Sequence, residues 1–265
     1  MSKRLGQYFL KNKKKIRKIV DALELQNGDT VVEIGPGKGA LTRELGNRNK
    51  ELRIIGIEKD SGLAENLEEK LIPEFEKWGS KLEIIKGDIL KILSSLIHNS
   101  SSINSTYKLL GNIPYYITGQ LLRVLEEIEK KPEVIVLTVQ KEVAERLVVK
   151  PPNMNILGAS VQVWGDVKII EQIPKEDFKP VPKVDSAVIK IVPRGNKIPK
   201  GYYQLVKILF RHPRKTILNN LSISLEKEVV SKKIEDLGFN PKIRPQNLSV
   251  ENIKKLAGVL LGKNN

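Results

Sequence analysis

Cysteine is missing from this 265-residue sequence, and histidine occurs only at His98 and His212. The first absence excludes disulfides and thiolate catalysis. The second excludes a histidine-rich metal site, so no metal is expected. No run reaches the eighteen or so consecutive apolar residues that a membrane span needs. The stretch Met1 to Leu10 is basic and lacks the apolar segment and small-residue cleavage site of a secretory signal. A cytoplasmic protein without membrane contact is therefore expected, and it is taken to be a monomer. Acidic residues are also in short supply: 31 Asp and Glu stand against 46 Lys and Arg, a net charge of +15. A lysine-rich thermophilic surface would raise both signs together. An unbalanced excess attracts a polyanion instead, and nucleic acid is the natural partner.

What is present organises the chain. Short apolar runs alternate with amphipathic stretches such as Ser61 to Lys77 and Gln120 to Glu129, the signature of a parallel sheet covered on both faces. Strands are expected at Thr30 to Ile34, Leu52 to Ile57, Leu82 to Lys86, Lys108 to Leu110, Val134 to Val139, Val161 to Ile170 and Val184 to Val192. The last two are separated only by a proline-rich segment from Pro174 to Lys183, which predicts an antiparallel pair at one edge of a mostly parallel seven-stranded sheet. The serine-rich stretch Ser94 to Thr106 reads as a surface loop. A linker-like composition follows Pro193, and helical patterns without strands follow the linker. The expected architecture is an α/β domain over 1–193, opened by a basic segment over 1–20, and a small all-helical domain over 200–265.

Three strand ends carry ligand-type groups. Glu33-Ile34-Gly35-Pro36-Gly37-Lys38-Gly39 follows the first expected strand. Its glycines permit a tight turn and close backbone approach, but the spacing is not that of a pyrophosphate loop. Glu33 would repel a pyrophosphate and suits an ammonium, such as that of the methionine half of S-adenosylmethionine. Glu58 ends the second strand, where an acid accepts hydrogen bonds from ribose hydroxyls; Asp88 ends the third, placed to accept from an adenine amino group. Singly, each reads as well as a helix cap or solvated loop. Together they fit a nucleoside, because open α/β sheets bind ligands at the carboxyl ends of their strands.

The fourth strand ends in Asn112-Ile113-Pro114-Tyr115. An adenine amine is a poor nucleophile because its lone pair is delocalised into the ring. Two acceptors on its hydrogens push it towards a tetrahedral, nucleophilic state. The Asn112 side-chain oxygen and the carbonyl of Ile113 or Pro114 are such acceptors, with Pro114 fixing the loop and Tyr115 stacking on an extruded base. This tetrapeptide resembles the (D/N/S)-P-P-(Y/F)-type motif of methyltransferases acting on amines conjugated to planar rings.

The resemblance extends over nearly the whole chain to the KsgA/RsmA family, the small-subunit (16S) ribosomal RNA adenine N6,N6-dimethyltransferases. Gly6-Gln7-Tyr8-Phe9-Leu10 resembles the family's Gly-Gln-(Asn/His)-Phe-Leu, with Tyr8 where the family has Asn or His. Gln140-Lys141-Glu142-Val143 resembles its Gln-Lys-Glu-Val, and Phe178-Lys179-Pro180-Val181-Pro182-Lys183-Val184-Asp185-Ser186-Ala187 its Phe-x-Pro-x-Pro-Lys-Val-Asp-Ser-Ala. Phe210 to Leu221 resembles the family's Phe-x-x-Arg-(Arg/Lys)-Lys-x-Leu element in the helical domain.

The resemblance implies a Rossmann-like class I methyltransferase that uses S-adenosylmethionine. It implies cofactor contacts at Tyr8, Leu10, Gly35, Gly37, Glu58, Asp88 and Asn112. Catalytic positions would be Asn112, Pro114 and Tyr115, with Phe178 closing the other face of the adenine. The implied substrate is the immature small ribosomal subunit, and the implied product is dimethyladenosine at two adjacent positions near the 3′ end of its RNA. Arg211, Arg214 and Lys215, and the run Lys11 to Lys18, are candidate phosphate contacts. Two rivals remain. The family that dimethylates a large-subunit rRNA adenine and confers macrolide resistance shares Asn-(Ile/Leu)-Pro-Tyr, but the Phe178 to Ala187 run fits the small-subunit family better. A non-catalytic ribosome-assembly or transcription factor on the same fold is opposed by the intact Asn112 to Tyr115 motif and glycine loop.

Overall fold

The apolar runs become strands of one sheet in the computed structural model, which describes residues 7–48, 51–99, 103, 106–195 and 197–262. Gly6 lies outside the described residues. The chain opens with β1 (Phe9–Leu10), α1 (Lys13–Asp21), β2 (Thr30–Ile34), α2 (Ala40–Gly46) and β3 (Arg53–Glu58). It continues through α3 (Ser61–Trp78), β4 (Lys81–Lys86), α4 (Ile89–Asn99), β5 (Lys108–Asn112), α5 (Thr118–Glu127) and β6 (Val134–Gln140). Then come α6 (Lys141–Leu147), α7 (Ile156–Gln162), β7 (Gly165–Ile173), β8 (Phe178–Lys179) and β9 (Ser186–Pro193). Four helices close it: α8 (Tyr202–Leu209), α9 (Ile217–Leu221), α10 (Lys227–Asp236) and α11 (Val250–Leu260). Among the described residues no helix is long and apolar enough to cross a membrane.

Two units form. The first, up to Ala144 and again over Asp166–Pro193, holds the seven-stranded sheet in the order β4-β3-β2-β5-β6-β9-β7. The pairs from β4 through β6 are parallel, and β6 with β9 is antiparallel. Burial explains the sequence pattern. The central strands β2, β5 and β6 are buried along nearly their whole length, so they read as unbroken apolar runs, while the edge strands β4 and β7 alternate. Helix α3 shows which force dominates locally. Asp60 caps it by accepting from Leu63 N, worth about 1 kcal/mol. Its apolar stripe Ala64, Leu67, Leu71 and Phe75 is buried, and each of the larger side chains contributes roughly 1.5–3 kcal/mol. Packing outweighs the cap.

The run Lys11 to Lys18 is integral to this unit. Asn12 caps α1, and Ile16, Ile19 and Val20 sink into the core. Lys15 and Lys18 both pair with Glu171 and Arg17 with Glu44, which leaves Lys11, Lys13 and Lys14 as its cations without an ion pair among the described residues.

The second unit comprises Glu145–Gly165 and Arg194–Asn265. This departs from the expected boundary at residue 193, because residues 145–165 pack with the carboxyl-terminal helices: Tyr202 OH donates to Ala159 O at 3.0 Å, and Met154 N to Gln246 O at 3.0 Å. The strand expected from Val161 starts instead at Gly165. Residues 156–162 are helical, with Asn155 accepting from Gly158 N as the cap, and the alternation Val161-Gln162-Val163 imitates a strand. The serine-rich stretch is likewise helical as far as Asn99, with Ile89, Leu93 and Ile97 spaced four apart and buried.

Candidate active site

Strand succession reverses between β2 and β5, and a cavity of about 490 Å³ opens at the carboxyl ends of β2, β3, β4 and β5. Tyr8, Leu10, Gly35, Gly37, Glu58, Asp88, Asn112, Pro114 and Tyr115 all line it. Residues as far apart in the chain as Tyr8 and Asn112, 104 positions, thus converge on one space.

The glycine loop performs two separable tasks. Gly37 has φ +60°, and a Cβ there would meet the Phe9 ring at 3.0 Å, so this position keeps the cavity wall thin. Gly39, at φ +77°, starts α2, and a Cβ would lie 2.7 Å from Leu71 and 2.9 Å from Leu67; it serves helix packing. Glu58 links loop and strand. Its Oε2 accepts from Gly37 N and its Oε1 from Asp60 N, both at 2.9 Å, and it is 3% exposed. A carboxylate has about four acceptor sites, so two remain for hydroxyls. Asp88 is engaged similarly: Oδ1 accepts from Leu90 N at 3.1 Å and Oδ2 from Lys59 Nζ at 2.8 Å. Lys59 holds the Asp88 carboxyl below its usual range, so it is an ionised acceptor at neutral pH.

Glu33 differs from the sequence expectation. It is buried, its Oε2 has no hydrogen-bond partner, and burial pushes its carboxyl up to about 8. The nearby Thr42 hydroxyl opposes the rise and Glu58 adds to it. Glu33 is therefore mostly protonated at neutral pH, and it becomes a counter-charge only when a cation draws its proton off.

At the tip of β5 the Asn112 amide Nδ2 donates to the Tyr8 carbonyl at 2.8 Å. A carbonyl can only accept, so this contact fixes which end of the amide is which and leaves Oδ1 as the acceptor. Pro114 O accepts from Ile117 N at 3.1 Å, closing a short 3₁₀ turn over Tyr115–Ile117. The Tyr115 hydroxyl lies 2.7 Å from Ser186 Oγ, and its ring stacks on Tyr8 with centroids 5.6 Å apart.

Phe178 lies apart from the other expected site residues. It is 1% exposed, belongs to the hydrophobic core and does not line the cavity. Its neighbour Lys179 lines it instead. The cause is an antiparallel pairing without a local signal in the sequence: β1 binds β8, with Phe9 opposite Lys179 and Leu10 opposite Phe178. This turns Phe178 inward and lays the amino-terminal segment along the cavity. Lys11 N to Asp177 O at 2.8 Å and Asn12 Nδ2 to Asp177 Oδ1 at 3.0 Å extend the join. Sequence reasoning also missed Lys59 and Ser186. The latter stood within the Asp185-Ser186-Ala187 motif, whose only sequence signal was the family resemblance.

Arg211, Arg214 and Lys215 lie in the second unit, on the exposed turn between α8 and α9. Buried Asn220 organises that turn. Its Oδ1 accepts from His212 N at 3.1 Å, and its Nδ2 donates to the carbonyls of His212 at 3.0 Å and Thr216 at 3.1 Å.

The family described as ribosomal RNA adenine dimethylase matches residues 1–260. The chain belongs to this family. Among curated relatives, Ribosomal RNA small subunit methyltransferase A of Dehalococcoides mccartyi is 38% identical over 261 residues, covering 96% of this chain and 86% of the relative. Its namesake in Mycoplasmopsis pulmonis is 36% identical, with 96% of each covered. Among solved structures, a dimethyladenosine transferase from Plasmodium falciparum aligns with a TM-score of 0.76 at 25% identity, covering 94% of this chain and 95% of that one. The 23S rRNA methyltransferase ErmE aligns at 0.73 and 25%, covering 95% and 99%. Membership makes the chain an rRNA adenine dimethylase, and its seven-stranded sheet is Rossmann-like.

Proposed function

We propose that this chain dimethylates the N6 amines of two adjacent adenosines near the 3′ end of small-subunit ribosomal RNA, acting as a cytoplasmic monomer on the immature small subunit with S-adenosylmethionine as donor. The observation that carries the reading is the commitment of Asn112 Nδ2 to the Tyr8 carbonyl, which leaves Oδ1 to accept from an amine.

The cavity residues fit the donor. Glu58 has spare acceptor sites for ribose hydroxyls, ionised Asp88 can take an adenine amino group, and Gly37 lets a ligand approach the backbone. When bound, S-adenosylmethionine supplies a methyl group on a sulfonium, which departs as a neutral thioether. The protein's own work is to position and polarise the amine. Asn112 Oδ1 accepts one N6 hydrogen. Because Pro114 O is already engaged by Ile117 N, the Ile113 carbonyl is the favoured second acceptor. Together they localise the lone pair towards the incoming carbon; no side-chain base of shifted pKa is required for attack, and the N6 proton passes to solvent once the C–N bond has formed. Tyr115 gives the extruded base an apolar face. Arg211, Arg214 and Lys215 grip phosphates, assisted by Lys11, Lys13 and Lys14; such contacts position the RNA and do not read its sequence.

The curated relatives at 36–38% identity bear the small-subunit name, while ErmE stands at 25%. This favours the small subunit over the large one. The test is incubation with labelled S-adenosylmethionine and immature small or large subunits, followed by mapping of dimethyladenosine. Label at two adjacent adenosines of the small-subunit RNA is expected. Label in the large subunit favours the resistance-type reading, and label in neither favours a non-catalytic factor.

A further inference from the structure

Ser186 does not line the cavity, yet it holds a residue that does. It is buried at the start of β9, and its hydroxyl lies 2.7 Å from that of Tyr115. We infer that Ser186 is a positioning residue for the second of the two methyl transfers to each adenosine: through Tyr115 it keeps the base seated once one N6 hydrogen is gone. The inference rests on the proposed base capture at Asn112 and Tyr115 and deepens it.

The contact ties a weakly fixed segment to a rigid one. Tyr115 sits beyond the tip of β5 in a single 3₁₀ turn, closed by Ile117 N donating to Pro114 O. Hydrogen bonds in such turns have poor geometry, so the turn alone holds the ring loosely. Ser186 belongs to the sheet. Asn112 is level with Thr138 of β6, and Ser186 pairs with Gln140, two residues further on, so its hydroxyl is presented where β5 has ended. The residue before it is pinned too: Asp185 O accepts from Lys141 N and Asp185 Oδ1 from Lys175 N, each at 3.0 Å. Burial raises the Tyr115 phenol above its ordinary value and the Ser186 hydrogen bond opposes the rise, so the phenol is neutral at pH 7 and either hydroxyl can donate. Among the described residues no other group hydrogen-bonds to the Tyr115 hydroxyl. Removing the serine hydroxyl therefore frees the outer end of the ring and leaves its faces untouched.

The number of N6 hydrogens decides when this matters. An unmodified adenine offers one hydrogen to Asn112 Oδ1 and the other to the Ile113 carbonyl. In the first transfer N6 bonds to the methyl carbon, the carbon–sulfur electron pair leaves with the thioether, and one N6 proton goes to solvent. The product keeps a single N6 hydrogen. It satisfies only one acceptor, which weakens its seating by roughly two- to tenfold. Ring contact survives methylation, so Tyr115 carries a larger share of the seating in the second round. A loose ring is tolerated while two hydrogen bonds align the amine, and not when one remains.

The test incubates the full chain with immature small subunits and S-adenosylmethionine, digests the RNA and separates N6-methyladenosine from N6,N6-dimethyladenosine. Ser186→Ala should slow the second transfer roughly tenfold and the first by less than about threefold, so monomethyladenosine accumulates. Tyr115→Phe breaks the same contact from the other side and should give the same product ratio, and the double variant should go no further than either single one. A thermal midpoint and an S-adenosylmethionine Kd close to wild type show that fold and cofactor site are intact; if Ser186→Ala is not folded, Tyr115→Phe decides. Equal slowing of both transfers overturns the inference, as does accumulation in one single variant without the other. Tyr115→Ala separates the levels. If it slows methylation while Ser186→Ala and Tyr115→Phe keep the wild-type product ratio, only the tether fails; if it leaves both transfers at wild-type rates, the proposed base capture fails as well.

Discussion

The cavity at the strand tips and the basic turn at Arg211 to Lys215 solve opposite problems. In the cavity the side chains are the fixed objects: Glu58, Asp88, Asn112 and Tyr115 each have a protein partner that sets their direction. In the turn the backbone is the fixed object. Asn220 clamps it from beneath, and the Arg211, Arg214 and Lys215 side chains extend into solvent. Bond making demands acceptors placed to fractions of an ångström. Phosphate binding tolerates mobile cations, provided the segment that carries them is placed.

The largest effect on that contrast belongs to the cavity. Asn112→Ala should lower kcat by about a hundred- to a thousandfold while S-adenosylmethionine affinity changes only a few-fold. Methyl incorporation and calorimetry read the two separately, and equal losses would contradict the role of the amide. The turn should respond in affinity and in salt. Replacing Arg211, Arg214 and Lys215 together by alanine should reduce the slope of log K against log salt for RNA binding by about 2 to 3 and leave the thermal midpoint in place. Asn220→Ala should weaken RNA binding with all three cations present and destabilise the protein by on the order of 1–3 kcal/mol. A variant that loses stability but keeps RNA affinity would mean that the cations need no fixed backbone.

The smallest effect is a change in pH dependence. Glu33 titrates at about 8 in the folded chain, against an ordinary value near 4.5. Between these values the folded form holds the extra proton, so stability falls as pH rises through the window. Glu33→Gln should flatten that decline in pH-dependent thermal melts. In the wild type, a bound cation should draw the proton off, and calorimetry in buffers of different ionisation enthalpy should detect its release on cofactor binding near pH 7. Glu33→Gln should show none.

The strand ends were legible because a parallel sheet imposes its pattern locally: a buried run such as Val31 to Ile34, then a turn, then a polar residue that must face the ligand side. Glu58, Asp88 and Asn112 follow from that rule, and Tyr115 from the chemistry of the tetrapeptide. The misreadings share a different cause. Val161-Gln162-Val163 alternates in polarity but is set as helix by its packing in the second unit. Ser94 and Ser95 sit on the outer face of a helix whose inner face is apolar. The burial of Phe178 was not legible because it depends on Leu10, a partner 168 residues away that no local pattern specifies.

That ladder of two residues on each side also imposes an order on the protein's own manufacture. One wall of the cavity is made first, yet its anchor is translated almost last in the first unit. At ordinary elongation speeds the interval is on the order of ten to thirty seconds. Once Asp88 has been made, the nascent chain carries Glu33, Glu58 and Asp88 without the strap that completes their pocket. An enzyme that modifies ribosomal RNA thus remains unfinished at the site until Lys179 has left the tunnel of the ribosome that makes it.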